Sequence, residues 1–137
     1  MFTLPTAGWT NWDMEKFNER ISYVDDFPLN LLTGIKNFFE TENCQEVEFD
    51  AEGYLYTIYL GYPVYARIED GELDIIHEDM VLFATEVLND VEKNIKEWSC
   101  FPWWIHTEEE QELFRKELEA EIKEIRGLIE QWLKKTI

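Results

Sequence analysis

Glu46, Glu48, Asp50 and Glu52 alternate with Val47, Phe49 and Ala51, and this spacing carries the clearest chemistry in the chain. Alternate residues of a strand share one face and repeat at about 6.6–7 Å. That interval matches the roughly 6–7 Å between successive phosphates along a nucleic-acid strand. A rigid row of carboxylates can therefore fill the groove of a DNA- or RNA-binding enzyme as a mimic. The same row can also guard a sheet edge, because charged side chains stop sheets from joining edge to edge. Edge protection alone leaves the absence of lysine unexplained: residues 41–79 hold eleven acids and a single base, Arg67.

Glu69, Asp70, Glu72 and Asp74 continue the acidic field beyond Arg67. Among the tyrosines at 54, 56, 59, 62 and 65, those turned inward serve as core aromatics. Tyr65 and Arg67 lie opposite Val64 and Ala66, and Tyr and Arg are the usual anchors of interfaces. The expected partner-binding set is Glu46, Glu48, Asp50, Glu52, Tyr65, Arg67, Glu69, Asp70, Glu72 and Asp74.

Other chemistry is weakly signalled. His77-Glu78-Asp79 offers metal-ligand types, but neighbours on a strand point to opposite sides, so a helix-capping segment is the better reading. His106 beside Thr107 reads as a residue preceding a helix, the alternative being an acid–base couple with Glu109 or Glu110. The run from Glu69 to Asp74 is too short for a calcium loop. No phosphate-binding loop, nucleophile elbow or zinc-protease motif occurs. Ser22, Ser99, Cys44 and Cys100 lack supporting motifs. No catalytic residue, metal site or cofactor is expected, and the chain reads as a non-enzyme.

These residues must be held by a sheet. Glu46 to Glu52 alternates without a fault, and Glu52-Gly53 reads as a hairpin turn. Tyr54 to Leu60 is apolar or aromatic on both faces, as in a central strand. Val64, Ala66 and Ile68 alternate with Tyr65, Arg67 and Glu69. Asp70-Gly71 predicts a type I′ turn, with Leu73 and Ile75 then facing inward. Upstream, Asn11 is expected to cap a short helix with Trp12, Phe17 and Ile21 inside, ended by Asp25-Asp26-Phe27-Pro28. A second helix runs from Pro28 to about Phe39 on Leu31, Leu32, Ile35, Phe38 and Phe39, although Gly34 weakens it.

Downstream, Asp79 caps a helix to Trp98 with a seam of Ala84, Leu88, Val91, Ile95 and Trp98. Thr107 to Glu110 forms a capping box for a helix ending near Lys135, with Leu118, Ile122, Ile125, Ile129 and Trp132 as its seam. Glu112–Lys116, Glu119–Lys123 and Glu130–Lys134 are spaced for ion pairs. Trp98, Phe101, Trp103 and Trp104 close one end of the core, or form an apolar patch if Trp103 and Trp104 are both exposed. The expectation is an α+β fold in one domain, residues 1–137. It has a four-stranded antiparallel meander packed against helices, in the order α-α-β-β-β-β-α-α, with a C-terminal antiparallel helical hairpin.

The 137 residues are 45% hydrophobic, enough for a proper core and against intrinsic disorder. No leader and no apolar run of membrane-spanning length is seen. Two cysteines without a framework read as reduced, buried thiols in a cytoplasmic protein. The net charge of −18 falls unevenly, with −10 of it in residues 41–79. Such a field attracts basic partners and repels nucleic acid itself. The expected function is a small acidic binding protein that inhibits or neutralises a basic nucleic-acid-handling protein. In size, acidity and α+β character the chain resembles in a general way phage anti-restriction or anti-CRISPR inhibitors and nuclease-toxin immunity proteins, with no motif of a particular family. The alternative is an assembly subunit that homodimerises through helices 79–98 and 107–135, and a carboxylate- or metal-dependent enzyme comes last.

Overall fold

The computed structural model describes residues 1–5, 9–14, 17–22 and 26–136. The elements follow as β1 (Trp9–Met14), β2 (Phe17–Ser22), α1 (Leu29–Thr41), β3 (Gln45–Asp50), β4 (Leu55–Leu60), β5 (Val64–Ile68) and β6 (Asp74–His77). Three helices complete the chain, α2 (Met80–Lys93), α3 (Ile95–Trp98) and α4 (Glu108–Lys135). The fold is α+β, and its four-stranded sheet is a meander in which β3, β4, β5 and β6 neighbour one another in chain order.

The first expected helix is instead an antiparallel hairpin. Trp12 lies opposite Glu19, and Thr10 opposite Ile21. Thr10 and Trp12 are buried while Asn11 between them is exposed, which is a period of two. Asn11 does not cap a helix; its backbone N–H donates to Thr3 Oγ1 at 2.8 Å. A run this short gains little from helix nucleation, and its Trp, Thr, Phe and Ile suit a pleated surface better. Asp25, expected at the end of that helix, lies outside the described residues. The second helix forms as α1, with Pro28 at its N-cap position and Leu31, Leu32, Ile35, Phe38 and Phe39 buried. Gly34 has a packing reason: a Cβ there would stand 2.5 Å from Val47 Cγ2, so its bareness lets α1 seat on β3 and β4.

In the sheet Val47, Phe49 and Ala51 are buried as expected, and Glu52-Gly53 turns the chain with Ala51 N–H donating to the Tyr54 carbonyl at 2.9 Å. The second turn differs from expectation. Gly71 N–H donates to the Ile68 carbonyl at 2.9 Å, so Glu69 and Asp70 are its central residues, and Glu69 takes the positive φ of 52°. A register shift between Val64 and Tyr65 then turns β6 over. Ile76 is the buried residue at 8% exposure, whereas Leu73 and Ile75 stand 52% and 40% exposed.

The expected helix to Trp98 is broken at Asn94 into α2 and α3. Asp79 caps α2 by accepting from the Val81 and Leu82 N–H groups. The Thr107 half of the α4 capping box forms as expected, Thr107 Oγ1 accepting from Glu110 N–H at 3.1 Å, while Glu110 Oε1 accepts from the His106 N–H, one residue before the N-cap, at 3.1 Å. Both seams face inward: Ala84, Leu88, Val91 and Trp98 on one and Leu118, Ile122, Ile125 and Ile129 on the other are buried, and Ile95 and Trp132 are half-buried against the core. Among the described residues none of the three spaced lysine pairs forms; Arg115 pairs with Glu112 and Glu119 instead.

α4 has two partners. Gln111 donates to Ser99 at 3.2 Å and Arg126 to Asn89 at 2.9 Å, so α4 runs antiparallel to α2 and α3, as the hairpin expectation requires. Lys36 meets Glu121 and Glu124, and Lys135 meets Glu42, so α4 also runs parallel to α1. Phe38 and Phe39 close that contact against Trp132. Of the residues that a lone hairpin would leave bare, Phe114 is buried against Trp104, Leu128 packs on the core and Leu133 stays exposed. Trp103 is exposed but Trp104 is not, so no paired tryptophan patch forms.

The core is aromatic at its centre. Trp12 meets Phe2, Phe17, Phe49 and Phe83 with ring centroids 5.2–6.1 Å apart. Phe27 joins this cluster to Trp98 and Phe101. The hairpin, the sheet and α2 are thus held by one group of rings, each pair adding about 0.5–1.5 kcal/mol beyond its buried area.

Candidate functional site

The registers lay out the outer face of the sheet, the face turned away from α1. Glu46 faces Tyr59, Tyr59 faces Tyr65, and Tyr65 faces Ile75. One step along, Glu48 faces Thr57 and Thr57 faces Arg67, and the exposed Leu73 stands just before β6. A third step places Asp50 opposite Leu55. Four columns result: acids on β3, then Tyr59 and Thr57, then Tyr65 and Arg67, then Leu73 and Ile75. The acids are at one edge and the aliphatic residues at the other.

β3 is an edge strand of the four-stranded sheet, and Glu46, Glu48 and Asp50 are exposed on it. Among the described residues Glu46 and Glu48 form no hydrogen bond or ion pair, whereas Asp50 Oδ1 accepts from Glu52 N–H at 2.7 Å. The rest of the expected set is partly structural. Glu52 sits in the turn with φ 55° and its carboxylate accepts from the Ser22 hydroxyl at 2.5 Å, tying the hairpin to the sheet. Glu69 accepts from Leu55 N–H at 2.9 Å, which secures the start of β4. Asp70 and Glu72 are exposed in the connection to β6. Asp74 lies opposite Ala66, a buried position, and so belongs to the other side of the sheet from Arg67.

Sequence reasoning missed Tyr59, Leu73 and Ile75 as members of this face. Tyr59 was within reach, because counting back from Tyr65 across the Gly61-Tyr62-Pro63 turn pairs the two. Leu73 and Ile75 were not, because the register shift that turns them outward leaves no mark in the local pattern.

On the inner side of the sheet, two further contacts tie β4 and the turn before it to β2. Tyr54 donates its hydroxyl proton to Glu19, and Tyr56 donates to the Arg20 carbonyl at 3.1 Å. Burial, then the bond to Glu19, raises the Tyr54 hydroxyl above its usual pKa.

The histidines serve the backbone and helix ends. His77 Nδ1 accepts from Asp79 N–H at 3.1 Å, and its Nε2 lies 3.6 Å from Glu86. Among the described residues no group of three or more His, Cys, Asp or Glu side chains could hold a metal ion. Cys44 and Cys100 are both exposed, which corrects the expectation of buried thiols: Cys44 lies in the connection between α1 and β3, and Cys100 is the exposed residue between buried Ser99 and Phe101. Among the described residues no helix is long and apolar enough to cross a membrane. Compared with protein families, curated proteins and solved structures, the chain matches none of them.

Proposed function

We propose that this chain is a binding protein, not an enzyme, that inhibits or neutralises a basic nucleic-acid-handling protein through the outer face of its sheet. The observation that carries this reading is the exposed column of Glu46, Glu48 and Asp50 on an edge strand, continuous with Tyr59, Tyr65 and Arg67. Carboxylates at about 7 Å intervals fit cationic side chains that otherwise hold phosphates. The tyrosines and Ile75 supply apolar contact, since acidity alone steers an encounter more than it holds a complex. Anti-restriction and anti-CRISPR inhibition, or immunity to a nuclease toxin, are the roles that fit, acting in the cytoplasm. Direct binding of nucleic acid or of an anionic membrane does not fit, because the face would repel both.

The test is a panel of basic nucleases and Cas-type effectors, assayed for association and inhibition at low and high salt. Binding is expected to weaken steeply with salt. Reversing Glu46, Glu48 and Asp50 to Lys together should lower affinity on the order of a hundred-fold while leaving the circular dichroism spectrum unchanged. A folded triple variant that still inhibits rules the carboxylate column out. The assembly alternative keeps one supporting observation, the exposed Leu82 on α2 and Leu113 on α4, and sedimentation across a concentration series checks it.

A further inference from the structure

Arg67 is the one cation in residues 41–79, surrounded in sequence by eleven acids, and yet none of them takes it as a partner. Among the described residues its guanidinium makes no hydrogen bond or ion pair, and its Nε is buried with no acceptor. The geometry explains why. Glu48 lies two strands away across Thr57, about 10 Å at the usual strand spacing. Glu69, in the turn just past the end of β5, is engaged with the Leu55 N–H. The guanidinium carbon instead lies 5.7 Å from the centre of the Tyr59 ring, on the outer face.

An arginine held over an aromatic ring, with donors unused, is a fork set for a planar anion. Its neighbours restrict which anion can arrive. Phosphates of a nucleic acid come as a long row and would meet the carboxylates of β3, whereas a single carboxylate within a basic protein surface meets no such obstacle.

We propose that Arg67 recognises one carboxylate of the partner, an Asp or Glu standing about 10 Å from the cations that face Glu46 and Glu48. This rests on the outer face being the docking surface. The consequence is selectivity. A surface that is only cationic places a positive charge against Arg67 and is disfavoured, while one with a correctly placed acid gains a two-pronged hydrogen bond. Arg67 also fixes orientation, since charge on one edge of a sheet does not by itself define which way a partner lies.

The experiment uses the full chain labelled with nitrogen-15 and a set of lysine-rich peptides. Each peptide carries one Glu, placed at each position in turn, and is compared with its Gln counterpart. The expected result is that at least one Glu peptide binds about tenfold tighter than its Gln counterpart despite its lower positive charge. It should also shift the Arg67 Nε–H resonance. Arg67→Gln should erase that preference while the Gln peptides bind as before, and Arg67→Lys should restore only part of it. If every Gln peptide binds wild type better than its Glu counterpart, as net charge alone dictates, the role of Arg67 is overturned and the acidic face survives. If no peptide binds even at low salt, both readings fall together.

Discussion

At the scale of single residues, Gly34 separates helix propensity from packing. Alanine in the middle of a helix is favoured over glycine by about 1 kcal/mol. A Cβ at Gly34, however, would stand 2.5 Å from Val47 Cγ2 and 3.2 Å from Leu60 Cδ1. Val47 is branched at Cβ and fixed in a strand, so it cannot swing away cheaply. The steric term is expected to win: Gly34→Ala should destabilise the fold by about 1–3 kcal/mol in urea denaturation. Adding Val47→Ala should recover part of that loss, and strict additivity of the two changes would argue that α1 and β3 do not meet as described. The same glycine looked like a weakness in the helical pattern, because its cause lies on another element.

At the scale of elements, the β1–β2 hairpin is the least obvious part of the fold, and it is tied to the sheet by side-chain bonds. Tyr54, Tyr56 and Glu52 of the sheet region each bond a residue of β2, and Trp12 sinks into the aromatic centre. Tyr54 offers a handle through pH. Its hydroxyl is raised above 10.0 in the fold, by burial first and then by Glu19, as Tyr62 is by burial. Below about pH 10 both states keep the proton. Above it the unfolded chain ionises first, so stability is lost as pH rises toward the folded values. Tyr54→Phe with Tyr62→Phe should flatten that alkaline loss, at the expense of about 1 kcal/mol at neutral pH for the lost Glu19 bond. Urea titrations on both sides of pH 10 check this, and an unchanged alkaline slope counts against the two tyrosines as its source.

At the scale of the whole molecule, the net charge of −18 acts on folding and on binding with opposite signs. Self-repulsion opposes the compact state, so added salt should raise the melting temperature. The same salt should weaken association with a basic partner, because it screens the field that draws the partner in. A thermal melt and a binding assay over one salt series test both. A melting temperature that falls with salt would mean that attractive pairs such as Lys36 with Glu121 outweigh the repulsion. Binding that holds firm in salt would shift the emphasis from the acids to Tyr59, Tyr65 and Ile75.

The chain by itself determined what local period and local chemistry can carry. Alternation over Glu46–Glu52 placed β3 and its acids, Thr107 and Glu110 placed the start of α4, and counting charges located the acidic region. Tertiary structure decided the rest. Trp12, Phe17 and Ile21 fit a helix about as well as a strand over so short a run, and pairing with Phe2 and burial against Phe49 and Phe83 resolved it. The register shift at Val64 turned Leu73 and Ile75 outward, and a one-residue slip of this kind arises between strands, not within one. The position of α4 along α1 depends on Lys36 and Phe38, which lie far in sequence from their partners Glu121 and Trp132. Arg67 was visible as the only base among the acids of residues 41–79. That it stands over Tyr59 with no acid paired to it follows from strand spacing and from the bond that holds Glu69, which no local pattern contains.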